Sequence, residues 1–218
     1  MPPSPDPDIS IIIPVFNESK NLERCLNSIP NSKAIEILIS DGGSTDNSLE
    51  IAQTFDVKIL HSEKGRAQQM NKAAAAASGT TLLFLHADTI LPNNAISSIQ
   101  QAIHQGFSMG CFERIFDTKH FLLRHTSRWA GWRAKHFFLA YGDQAIFIQR
   151  QLFETLNGYQ NMPRFEDLDL TLRAKKHGSW TLLPGPIITN ARRFGKSPLK
   201  RILKDAGLTI AWLLGIIR

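Results

Sequence analysis

The stretch ISIIIPVFNE, residues 9–18, is a β-branched run that Pro14 stops and that Asn17 and Glu18 follow at once. Branched side chains suit the pleat and proline ends the ladder, so residues 9–13 read as a fully buried strand entering a turn. Outward from it, strands and helices alternate at short intervals. Leu22, Cys25, Leu26 and Ile29 fall at helical spacing and predict an amphipathic helix ending before Pro30. Residues 35–40 read as a second strand running into Asp41-Gly42-Gly43. A helix marked by Leu49, Ile51, Ala52 and Phe55 leads to a short third strand at 57–60. Residues 66–78 are Ala-rich without interior Gly or Pro, which predicts a helix that Gly79 ends, and residues 82–85 form a buried strand.

This alternation predicts an α/β fold with a mostly parallel, Rossmann-like central sheet and helices on both faces. Ligands of such sheets sit outside the carboxyl ends of the strands. Three polar clusters directly follow strands: Asn17-Glu18, Asp41-Gly42-Gly43-Ser44 and His86-Ala87-Asp88. All three are expected on one edge. Beyond a helix after Pro92 that buries Ile96, Ile99 and Ile103, strands around 109–116, 144–148 and 179–183 make the second half mixed. Within it, His125, Trp129, Trp132 and His136 share one helical face beside a stripe of Arg124, Arg128 and Lys135. That face is expected to pack on the core or line an acceptor pocket. Basic residues with interleaved aromatics also suit nucleic acid, but no nucleic-acid motif accompanies them, so no such partner is expected.

At 218 residues and 43% hydrophobic content, the chain can bury one substantial core. Cys25 and Cys111 sit in apolar patterns as small buried hydrophobes, which predicts reduced thiols and a cytoplasmic setting. Residues 1–8 are Pro-rich and acidic with no apolar core, so a flexible leader is expected there, followed by one domain over 9–195. The net charge is +6. Arg192, Arg193, Lys196, Lys200, Arg201 and Lys204 precede an apolar stretch, 206–217, that is too short to span a bilayer. Residues 196–218 therefore read as a basic, then apolar, C-terminal helix. It would lie on an anionic membrane at the inner face of the cell, or pack on the core or a homodimer partner.

Asp88, just beyond a buried strand, suits a carboxylate holding a divalent metal against a diphosphate, although such residues also serve as turns or caps. Asp41 precedes two glycines that let backbone approach a flat or anionic ligand, and its carboxylate could accept a bond from a nucleobase. A turn with a capping box over 47–50 is the alternative, and Asn17 or Ser19 could likewise cap the next helix. Gly65-Arg66 opens a helix, joining orphan N–H groups to a guanidinium as a phosphate site. The acidic run Glu166-Asp167-Leu168-Asp169 suits a helix N-terminus, where the dipole favours negative charge. A carboxylate in that first turn could also point to a pocket and take a proton from an attacking hydroxyl.

In their order and spacing, residues 11–18, 41–46, 86–89 and 166–169 resemble the family 2 glycosyltransferases of the GT-A fold, over about residues 9–195. Residues 65–71, 84–89 and 142–144 are further similar to a small bacterial subgroup linked to arsenosugar biosynthesis. The resemblance implies an inverting, metal-dependent transfer from a UDP- or GDP-linked sugar to a small-molecule or lipid hydroxyl. It places Asp41 at the nucleobase, Asp88 at a Mn2+ or Mg2+ ion and the diphosphate, and Asp167 as catalytic base. Around the donor it gathers Pro14, Asn17, Glu18, Gly42, Arg66, Asn71, His86 and Ala87, and around the acceptor Trp132, Gly142, Asp143, Gln144 and Glu166. His86 stands where the family's Asp-x-Asp has its first Asp. The Gln-x-x-Arg-Trp motif of processive synthases is absent, so one sugar is expected per transfer. A non-catalytic nucleotide-binding module at a membrane or protein interface is the competing reading. A nucleotidyltransferase would want a Gly-rich, basic phosphate loop that residues 14–18 do not supply.

Overall fold

The computed structural model describes residues 8–195 and 197–217; the expected leader short of Asp8, and Lys196, lie outside the described residues. In chain order the elements are β1 (Ile9–Val15), α1 (Leu22–Leu26), β2 (Ile35–Asp41), α2 (Ser48–Gln53), β3 (Lys58–His61), α3 (Arg66–Ala76), β4 (Thr81–Phe84) and β5 (Thr89–Ile90). Then follow α4 (Ala95–His104), β6 (Met109–Phe116), α5 (Phe121–Phe137), β7 (Ile146–Gln149), α6 (Arg150–Thr155), α7 (Glu166–Ala174), β8 (Trp180–Thr189) and α8 (Pro198–Leu213). Short 3-10 turns span Gly142–Gln144 and Arg192–Phe194.

Ile11, Ile12 and Ile13 of β1 are each 0% exposed, so this strand needs cover on both faces. Ile9, Ile11 and Ile13 pack in one core with α1 and α4, while Ile12 joins Leu38 in a second core with α3, α6 and α7. The eight strands lie in the order β3-β2-β1-β4-β7-β6-β8-β5. β3, β2, β1 and β4 are parallel; β7 runs antiparallel to β4 and β6, β6 and β8 are parallel, and β5 is antiparallel to β8. The parallel first half and mixed second half are the expected α/β arrangement.

Several expectations are corrected in detail. β7 starts at Ile146, because Gln144 belongs to a 3-10 turn and its amide reaches back to Tyr141 N–H. β8 runs well past residue 183: Pro184 and Pro186 look like strand breakers, yet the β6 register slips between Phe112 and Arg114 and absorbs them as a bulge. α3 ends at Ala76, and Gly79 is not its cap; a Cβ there would meet Ser10 Oγ at 2.6 Å, so the glycine lets the chain lie against β1. No capping box forms over 47–50; Asp46 Oδ1 accepts the Ser48 N–H at 3.0 Å instead. α5 turns its small residues Ser127, Ala130, Gly131 and Ala134 inward, leaving Trp129 and Trp132 largely in solvent rather than in the core. Both cysteines are free and buried, and burial pushes their thiols up.

Candidate active site

Registry brings the strand ends together. Val15 pairs with Asp41 across β1 and β2, and Leu85 N–H donates to Ile12 O as β4 runs out. His86-Ala87-Asp88 then bridges β4 to β5. Pro14, Glu18, Arg66, His86, Ala87, Asp88 and Asp143 line one cleft of about 270 Å³, with Gln69, Asn190, Arg192 and Arg193. Two of the three polar clusters thus wall the cleft directly, and the third sits on its rim.

That rim is a hydrogen-bonded loop pair. Asn17, held at a φ of 55°, accepts Thr45 N–H at 2.8 Å through its side chain, while its own N–H donates to Ser44 Oγ at 2.9 Å. It does not cap α1. Asp41 is buried, and its carboxylate accepts the N–H groups of Gly43 and Ser44 at 3.0 and 3.1 Å. Asp46 accepts from Ser48 and Ser19; burial opposes its charge, but these bonds outweigh it and hold the carboxyl down at about 2. Behind the rim, Gln69 Nε2 donates to Val15 O at 2.8 Å and Ser40 O at 2.6 Å, tying α3 to both strand ends. A Cβ on Gly42 would press on that Gln69 side chain at 3.1 Å.

Deeper in, Arg66 opens α3 and pairs with Glu166 at 2.7 Å. Asp167 is buried beside it and accepts Gly142 N–H at 2.9 Å through Oδ2, while Oδ1 has no partner. Burial and the neighbouring Glu166 raise its carboxyl to about 7, against the pull of Arg66. The point where a Gly142 Cβ would stand is 2.6 Å from His86 Nε2 and 2.7 Å from Asp167 Oδ2, so only glycine lets the backbone pack this closely between them. His86 Nε2 is buried without a partner, and burial together with Arg66 lowers the imidazole to about 4. The ring is neutral at neutral pH.

At the mouth, Arg192 pairs with Glu18 and also reaches Asp88 at 3.4 Å. Burial nevertheless leaves the Asp88 carboxyl raised, with Arg192 opposing and Glu18 reinforcing the shift. Asp143 forms a buried pair with Arg114 and lies 3.9 Å from Arg193; these cations outweigh burial and keep its carboxyl low. Arg193 also binds Asp205 at 2.9 Å. Arg192 and Arg193 were expected to serve a membrane surface, but internal carboxylates take both. Sequence reasoning missed Arg192 and Gln69 as site residues: neither stands in a strand-end cluster, and the partners of each are distant in sequence.

Three expected site residues stand apart. Asn71 clamps residue 159 from both sides, donating to Tyr159 O at 2.8 Å and accepting Tyr159 N–H at 2.9 Å. Gln144 is buried, its Oε1 accepting from Arg133 at 3.2 Å. Trp132 lines a different groove, between α5 and the β6–β8 pair.

Among curated proteins, the chain is 29% identical over 237 aligned positions to a PGL/p-HBAD biosynthesis glycosyltransferase of Mycobacterium tuberculosis (strain ATCC 25177 / H37Ra), covering 97% of this chain and 90% of that protein. It is 34% identical over 106 residues to Glycosyltransferase GlyG of Streptococcus pneumoniae serotype 4, covering 44% of this chain and only 35% of GlyG. Among solved structures, glucosyl-3-phosphoglycerate synthase from Mycobacterium tuberculosis, in complex with Mn2+, UDP-glucose and phosphoglyceric acid, superposes with a TM-score of 0.70 at 17% identity, over 95% of this chain and 78% of that one. A mannosyltransferase from Pyrobaculum calidifontis, in complex with GDP-Man and Mn2+, gives 0.67 at 18%, over 88% and 59%. The pattern of the glycosyl transferase family 2 matches residues 10–155, which takes in β1 through β7 and all three strand-end clusters, and the chain belongs to that family.

Proposed function

We propose that the chain transfers one sugar, with inversion, from a nucleotide-diphosphate sugar to an acceptor hydroxyl, with Asp167 as the base. The observation that carries this reading is the Asp167 carboxylate: buried, raised to about 7, one oxygen without a partner, and packed with Gly142 against His86, a wall of the cleft. A carboxylate poised near neutrality can accept the hydroxyl proton as that oxygen attacks the anomeric carbon. The Gly142 N–H fixes its other oxygen, so the acceptor meets one defined lone pair.

On the donor side, the Asp41 turn takes the nucleobase, and Arg66 at the start of α3 faces the diphosphate. Asp88 fits a hard divalent cation: it offers oxygen, and burial with Glu18 nearby leaves it an excess of negative charge that a cation relieves. Among the described residues no three His, Cys, Asp or Glu converge on a metal. That suits Mg2+ or Mn2+, which take one or two carboxylates and fill their shells with water and phosphate oxygen. Such a cation supplies charge neutralisation for the departing diphosphate. The Mn2+ and the UDP and GDP sugars held by two structural neighbours support this donor class.

The acceptor is a small molecule, as in the arsenosugar-linked subgroup, or a lipid, and α8 brings the enzyme to the cytoplasmic face of a membrane. No helix among the described residues is long and apolar enough to cross one. With Asp167→Asn, transfer should fall by about 10²–10⁴-fold, while donor and Mn2+ still raise the melting temperature as in the parent chain. Unchanged transfer would remove Asp167 as the base. A donor-induced shift without transfer or donor hydrolysis in the parent chain, under any acceptor condition, would favour a non-catalytic nucleotide-binding module.

A further inference from the structure

α5 and α8 run side by side on the outside of the molecule. Leu123 and Ile202 share a small apolar cluster, Tyr141 Oη and Thr209 Oγ1 are 2.5 Å apart, and Arg133 of α5 lies over the Tyr141 ring. Both helices carry apolar side chains outward. Trp129 and Trp132 of α5 are 59% and 44% exposed, and their rings stack with centroids 4.8 Å apart. In α8, Leu199, Leu203, Ile210 and Leu213 repeat at helical spacing and are all exposed, while Thr209 is its one buried residue. An apolar stripe on the solvent side of a helix is surface that the fold leaves uncovered.

Beside α5 lies a groove of about 490 Å³, with Arg124, Arg128 and Lys135 on its helix wall and Leu182 and Pro186 on its sheet wall. None of these three cations forms an ion pair among the described residues. We propose that α5 and α8 form one docking platform for an anionic bilayer, with lipid phosphates entering the groove and the Trp ridge and α8 stripe sinking into the headgroup–acyl boundary. Unpaired cations beside exposed aromatic and aliphatic side chains complement a negatively charged lipid surface. A second copy meeting this face across a two-fold axis would set the same cations near one another. A nucleic acid would want the Trp faces that already stack on each other.

The platform extends the α8 contact proposed above to a second helix and rests on that contact, not on the sugar chemistry. The other face of α8 packs toward the site: Trp212 lies against Phe165, ring centroids 5.5 Å apart, two residues before Asp167.

Vesicle flotation of the full chain tests this, with phosphatidylcholine vesicles alone and with phosphatidylglycerol added. Binding is expected to the anionic vesicles only. The triple substitution Arg124→Gln, Arg128→Gln, Lys135→Gln should weaken it on the order of 100-fold, since each cation near such a surface contributes about a factor of five. The double substitution Leu203→Ser, Ile210→Ser should also reduce it. These side chains are exposed, so both variants should keep the parent melting temperature and its shift with donor and Mn2+, whether or not sugar transfer is the activity. Four results would overturn the platform: no flotation, equal flotation on neutral vesicles, an unaffected triple variant, or an apolar stripe whose loss dissolves a dimer and leaves flotation intact. Oligonucleotide binding lost in the triple variant, without flotation in the parent, would assign the groove to nucleic acid.

Discussion

Asp167 gives the site its pH dependence. Its folded value, about 7, stands above the ordinary 3.8, so any stability this group lends is fully present below that ordinary value and is lost as pH rises through about 7. With Asp167 as the proposed base, activity runs the other way, because the base form predominates only above about 7. The kcat/KM of transfer should rise with pH and level off above about 7 in the free enzyme, and a profile flat across that value would show that Asp167 does not limit the rate. Arg192 makes a second prediction. It is the cation that Glu18 and Asp88 share, so Arg192→Ala should tighten Mn2+ binding in the absence of donor, on the order of tenfold, as one opposing charge at close range is removed. Titration calorimetry reads this directly, and unchanged affinity would place the cation elsewhere. These residues differ in how far the sequence revealed them. Asp88 follows a buried strand and Asp167 opens a helix, so local pattern and resemblance both reach them. Arg192 acts on Glu18 from 174 positions away, and no local signal carries such a pairing.

At the scale of elements, the parallel strands were legible because each is an apolar run closed by a polar cluster. β8 was only half legible, since Pro184 and Pro186 mark a strand end locally and a bulge against β6 tertiarily. α6 has six residues and buries two apolar side chains, too few for periodicity to show. α3 was read from its alanines, yet its structural weight rests on polar Gln69, whose amide joins β1 and β2 where the cleft begins. Gln69→Leu should cost about 1–3 kcal/mol for its two lost side-chain bonds, although Val15 O keeps the Gly42 N–H and Ser40 O keeps the Val15 N–H of the β1–β2 ladder. A urea titration measures the cost, and a midpoint equal to that of the parent would show that the carbonyls find other partners.

Across the whole molecule, fold class followed from alternation, whereas strand order did not, because nothing local says that β4 neighbours β7 while the next strand, β5, lies at the far edge of the sheet. The aromatic face of α5 was expected on the core or on an acceptor pocket, and it is not on the core: its periodicity is that of a core helix, and only the small residues on its other side show which face the sheet takes. The far placement of β5 governs how the chain comes to life during synthesis. His86-Ala87-Asp88 is strung between β4 and β5, and the sheet partner of β5 is β8, joined through Thr89 to Thr189 and Ile90 to Ile188. Thr189 leaves the ribosome 100 positions after Thr89. Until then the loop carrying Asp88 has one anchored end, and a nascent chain holding every donor-side carboxylate should still be unable to grip a nucleotide sugar. A chain arrested before Trp180 is expected to show no melting-temperature shift with donor and Mn2+, and a shift equal to that of the full chain would show that β5 needs no partner to set the loop. On the proposed donor site, synthesis order would keep half-made copies from sequestering donor, with pairing of the last strand as the step that completes the site.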